Sequence, residues 1–174
     1  MKLLLLFALF VVDQHPVKYI TSFSDSDLIV YSPGIKVKWS DFKADFPNSP
    51  ISAAEINAGI KLDYYGYDIG VSCVMEKSGS FTSDASETHS LNHEQRHFDI
   101  AYFYTMKLIK ELKRTKVFEF HDVGDLSEKI NNELFEFQKK YDRETNHSIN
   151  TLSQEKWNIR IDSMLATFIA KKTK

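Results

Sequence analysis

The apolar positions of this chain change period once. Through Met75 they fall in short runs and alternations, and from Leu91 onward they recur at threes and fours. The first pattern is that of strands and the second that of amphipathic helices. Leu28-Ile29-Val30-Tyr31 predicts a short strand ended by Ser32-Pro33-Gly34, and Ile35 to Trp39 alternates as a second. Asp41 to Pro50 reads as loop. Ile51 to Tyr65 and Tyr67 to Met75 are rich in β-branched and aromatic residues on either side of Gly66, which predicts a hairpin. Ser78 to Ser90 has no apolar period and reads as a loop.

Three helices follow, over Leu91–Leu112, Asp125–Tyr141 and Ser153–Ala170. The second carries Leu126, Ile130, Leu134, Phe137 and Tyr141 on one stripe, and the third carries Trp157, Ile161, Met164, Leu165 and Phe168. Asp125 and Ser153 are candidate N-caps. The fold class is therefore α+β: a small antiparallel N-terminal sheet packed with three C-terminal helices.

Length and composition fit one soluble domain. A net charge of −2 and scattered lysines give no electrostatic reason for a nucleic-acid partner. Leu3 to Val12 is an apolar block behind Lys2, too short for a membrane span of about 20 residues but suited to a secretory signal. Residues 1–22 are thus expected to be a signal or N-terminal segment and 23–174 the domain. The expected location is exported, periplasmic or secreted. Cys73 is the only cysteine, so a metal must be held by His, Asp or Glu; its apolar neighbours make it a core residue.

The chemistry lies in His93-Glu94-Gln95-Arg96-His97, an H-E-x-x-H pentapeptide opening the first helix as in zincins. At ~100° per residue the two imidazoles lie about 40° apart and can reach one ion. Glu94 can then act as a general base on water beside that ion. His93, His97, Ile100, Tyr104 and Leu108 share a face, whereas Gln95 and Arg96 are expected on the exposed surface. Asp99 is about 200° from His97 and is expected to anchor the helix instead.

Catalytic zinc takes three protein ligands and keeps one open position. A metzincin continuation fails, because Ile100 and Phe103 stand where glycine and a third ligand are needed. Two sources remain for the third ligand. One is a carboxylate of the second helix, Glu128, Glu133 or Glu136. The other, which we favour, is His147 in the polar turn after that helix. Tyr104, Tyr141 and His89 are candidates for a second electrophile, and an edge strand over Tyr67–Met75 is a candidate for binding an extended peptide.

Leu91 to Ala101 resembles the H-E-Q-x-H-F-D-I-A motif of a bacterial family known as domain of unknown function 922, secreted zinc-dependent proteases by that motif. Trp39-Ser40-Asp41-Phe42 is similar to its W-x-D-F segment, and Tyr141-Asp142 with Thr145 and His147 to its Y-D-x-x-T-x-H element. The resemblance spans residues 28 to 165. It implies a secreted metallopeptidase-like protein and supports His147 as the third ligand. Arg96 and Tyr102 depart from the family's Gly and Glu, which bears on substrate fit.

The expectation is a zinc metallopeptidase acting on a peptide or protein substrate, with Zn2+ on His93, His97 and His147 and Glu94 as base. The alternatives are a non-catalytic metal-binding or surface-interaction protein, and a zinc hydrolase of cell-wall peptides.

Overall fold

The computed structural model describes residues 16–169 apart from 49, 51, 67 and 116–119. The apolar block Leu3–Val12 lies outside the described residues. Strands β1 (Val17–Tyr19), β2 (Leu28–Val30), β3 (Ala54–Tyr65) and β4 (Asp68–Thr82) form one sheet, and helices α1 (Thr88–Thr115), α2 (Phe120–Thr145) and α3 (Thr151–Ile169) follow. The α+β class and the division into an N-terminal sheet and C-terminal helices are as expected.

β3 and β4 form the hairpin predicted around Gly66, whose φ of +63° suits a residue without a Cβ. β4 is the central strand, with β3 along one edge. β1 (parallel) and β2 (antiparallel) lie along the other. The sheet is therefore mixed and not purely antiparallel. β1 was not foreseen, and it lies within the first 22 residues that the sequence reading sets apart from the domain. β4 also runs to Thr82 and α1 begins at Thr88, which shortens the loop expected over Ser78–Ser90.

The second predicted strand is absent. Ile35 to Lys38 has no strand partner, and Trp39–Asp41 makes a single 3-10 turn closed by Asp41 Oδ2 on the Lys38 N–H at 2.9 Å. The Val37 N–H, which a strand would have given to a ladder, is instead donated to the Gln95 side chain of α1 at 2.9 Å.

Alternation along β4 turns Ile69, Val71, Cys73 and Met75 to one face, all essentially buried. Cys73 is a core residue as expected, its sulfur 3.9 Å from the carbonyl of Phe98. That contact places α1 on this face. α2 and α3 also pack against α1, which is therefore enclosed on several sides. Its residues from Phe98 to Tyr102 are buried without interruption. Around Gln95 and Arg96 the neighbours leave little of the helix to solvent, so Gln95 (5 % exposed) is buried and Arg96 partly buried, against expectation.

The apolar stripes of α2 and α3 close on each other, with Trp157 edge-on to both Phe137 and Tyr141 at 5.3 Å between centroids. Neither Asp125 nor Ser153 caps its helix as proposed: α3 is capped by Asn150, whose Oδ1 accepts the Ser153 N–H at 3.1 Å. Among the described residues no helix is long and apolar enough to cross a membrane.

Candidate metal centre

The first turns of α1 bring His93 and His97 to the same side, with their Nε2 atoms 3.2 Å apart. The third group at this point comes from α2. Asp142 Oδ1 lies 2.7 Å from His97 Nε2 and 3.1 Å from His93 Nε2. Donor atoms held at about 2.0–2.2 Å from one tetrahedral ion stand roughly 3.3 Å from each other. The observed triangle is close to that size, and its two imidazoles and one carboxylate are a donor set suited to a divalent transition metal. The residues fit a metal centre.

The apolar stripe alone ends α2 at Tyr141, which puts Asp142 in a loop and hides it as a ligand candidate. The helix instead continues to Thr145, whose side-chain hydroxyl donates to the Tyr141 carbonyl at 2.8 Å. The signal that could have found it is its place directly after Tyr141. That tyrosine is fully buried, with its ring stacked on His93 at 4.5 Å and edge-on to His97 at 4.9 Å.

His147 is close but less engaged. It follows α2 in a turn where Asn146, His147 and Ser148 all have positive φ (49°, 49° and 75°). The turn holds its Nδ1 3.9 Å from Asp142 Oδ1, with the side chain 40 % exposed at the rim of the site. Glu128, Glu133 and Glu136 line a different depression further up α2. Glu133 pairs with Lys107 of α1, and Glu136 with Lys139.

His93, Glu94, His97, Asp142 and His147 line one cavity of about 290 Å³, whose opposite wall is β3 around Ala54 and Ile56. Glu94 is 4 % exposed and receives the Ile56 N–H on Oε2 at 2.8 Å. Burial pushes its carboxyl well above the usual range, and the Asp142 and Glu55 charges add to this against the Ile56 hydrogen bond. Burial also lowers His97, reinforced by His93 and His147 and opposed by Asp142. For Asp142 burial alone would raise the carboxyl, but hydrogen bonds from His93 and His97 outweigh it and hold the group well below the carboxylate range.

None of the three proposed electrophiles faces this cavity. Tyr104 packs in the core beside Phe103 and Phe137. The Tyr141 hydroxyl donates to the His93 carbonyl, and His89 is exposed on the first turn of α1. The strand proposed to bind a peptide, Tyr67–Met75, belongs largely to β4, which is paired on both edges; the outer strand beside the cavity is β3. Asp99 anchors α1 as expected, accepting from the Tyr31 hydroxyl at 2.9 Å and from Arg96 at 3.0 Å. No family model matches the chain, and no curated protein or solved structure matches it either.

Proposed function

We propose that this protein is a metal-dependent peptidase in which His93, His97 and Asp142 hold a divalent cation, zinc by donor type and by the H-E-x-x-H spacing. The observation that carries this reading is the convergence of three ligand atoms within 3.2 Å of one another, in one cavity with the buried carboxylate of Glu94. The resemblance of Leu91–Ala101 to secreted zinc-dependent proteases agrees with it, as does the leader-like Leu3–Val12 block for an exported protein.

The cation's contribution when bound is to polarise a carbonyl and to bring the pKa of water toward about 7. Glu94 moves the proton. Its Oε2 is held by the Ile56 N–H, which leaves Oε1 to take a proton from the attacking water and pass it to the leaving amine. A carboxyl whose proton affinity is raised by burial suits that exchange. Asp142 takes the ligand position for which His147 was favoured. His147 at the rim is then the donor that faces the developing oxyanion.

A purely structural metal site gains nothing from a buried carboxylate beside its ligands, and this favours catalysis over the non-catalytic reading. Glu94→Gln is the test, with zinc content measured by elemental analysis and cleavage measured on an unfolded protein substrate. Metal content should stay unchanged while hydrolysis falls by roughly 10²–10⁴-fold. Cleavage at the wild-type rate by Glu94→Gln sinks the mechanism.

A further inference from the structure

The metal reading needs the His93 Nε2 lone pair to point into the site, which requires the proton to sit on Nδ1. His93 Nδ1 lies 3.0 Å from Gln154 Oε1 of α3, in a contact where both groups are buried. An amide could present either end to an imidazole. Here its orientation is dictated from two directions by groups that can act in only one sense.

The first is Arg96, which has donors and no acceptor. Its Nε donates to Asn158 Oδ1 at 3.1 Å, so that end of Asn158 is an oxygen. Gln154 lies 3.0 Å from the same oxygen and must offer its NH2 group there. The second is the His93 carbonyl, which only accepts. The Tyr141 hydroxyl donates to it at 3.3 Å, so the Tyr141 oxygen is an acceptor toward Gln154, and the Gln154 NH2 fills that place at 2.7 Å. Both constraints put the nitrogen of Gln154 away from His93 and its oxygen toward Nδ1. Arg96 is itself fixed by Asp99 at 3.0 Å and Asp162 at 2.6 Å.

We propose that Gln154 is a positioning residue that holds Nδ1 of His93 against its amide oxygen and so aims Nε2 at the metal position beside Asp142, with its amide oriented by Arg96 through Asn158 and by the His93 backbone through Tyr141. The inference rests on the metal-site reading, because a cation on Nε2 would leave the His93 proton on Nδ1, where Gln154 accepts it. Partners of this kind behind a ligating histidine typically command roughly 10–100-fold in metal affinity.

The test uses the full chain, stripped of metal by chelation and titrated with zinc against a chelating dye. Gln154→Leu should weaken zinc binding by roughly 10–100-fold while circular dichroism reports the wild-type fold. Gln154→Glu keeps an acceptor at Nδ1, so it should bind zinc within roughly 10-fold of the wild type even if the leucine variant does not fold. In long-range proton–nitrogen correlation spectra of the zinc-loaded wild type, His93 should carry its proton on Nδ1. A folded Gln154→Leu protein with wild-type zinc affinity, or a folded Gln154→Glu protein that has lost it, overturns the proposal. Failure of the wild type to take up zinc would strike the metal reading instead.

Discussion

The Glu94 carboxylate is tied to the backbone of Ile56 by a 2.8 Å hydrogen bond, and this joins the acid of the H-E-x-x-H helix to the outer strand of the sheet. The N–H is available because the β3–β4 register shifts between Glu55 and Asn57, which takes Ile56 out of the ladder. Proline is tolerated at such a bulge, so Ile56→Pro removes this donor together with a core side chain, and Ile56→Ala removes the side chain alone. The proline variant should be less stable than the alanine variant by about 1–3 kcal/mol in urea unfolding. Equal stability of the two variants would show that the carboxylate does not depend on the strand.

Asp142→Asn and His147→Ala separate the two candidates for the third ligand. Asp142→Asn should weaken zinc binding by more than the roughly 10–100-fold that outer residues command. His147→Ala should leave stoichiometry intact and lower turnover. Calorimetric zinc titration of both variants decides, and the opposite ranking would restore His147 as the ligand.

Burial raises the Glu94 carboxyl, so between its ordinary value of about 4.3 and its folded value the folded state binds more protons than the unfolded one. Over that window the contribution of Glu94 to stability falls as pH rises. Glu94→Gln removes the ionisation and keeps an oxygen for the Ile56 N–H. The metal-free variant should therefore be more stable than the metal-free wild type near pH 7, with the gap closing toward about pH 4. Thermal melts across this range check the slope, and a gap that widens on acidification would contradict the sign.

Asp142 is displaced in the opposite direction, because hydrogen bonds from His93 and His97 outweigh its burial. Its stabilising contribution is present above the unfolded value of about 3.9 and is lost as pH falls through the lower folded value. The metal-free Asp142→Asn protein should accordingly show a shallower acid limb than the wild type in unfolding experiments below about pH 4.

Tyr31→Phe deletes the hydroxyl that donates to the buried Asp99 at 2.9 Å and leaves the ring stacked on Tyr102 at 4.2 Å. A hydrogen bond to a charged group is worth about 1.5–3 kcal/mol, which is the loss expected by chemical denaturation. Zinc affinity should change little, since Asp99 reaches the ligands only through Arg96.

Where one interaction dominates, the sequence is readable. The H-E-x-x-H spacing brought two imidazoles together, and the stripes of α2 and α3 closed on Trp157 because helical period alone decides which positions meet. The misses share a different cause. The helical period of α1 implies one buried face and leaves Gln95 and Arg96 to solvent, whereas the neighbouring elements cover both. Ile35–Lys38 alternates like a strand, yet its backbone is claimed by a side chain 58 residues away. Asp142 needed the knowledge that α2 runs one further turn, which the buried Thr145 decides through packing.

The three donor atoms of the proposed centre are spread from His93 on α1 to Asp142 on α2, a separation of 49 residues. No continuous fragment of the chain shorter than this contains them all. Neither α1 with its pentapeptide nor the hairpin with its wall can bring them together until α2 has packed on α1. The pentapeptide is thus present in every copy of the chain, and the donor triangle only in a folded one.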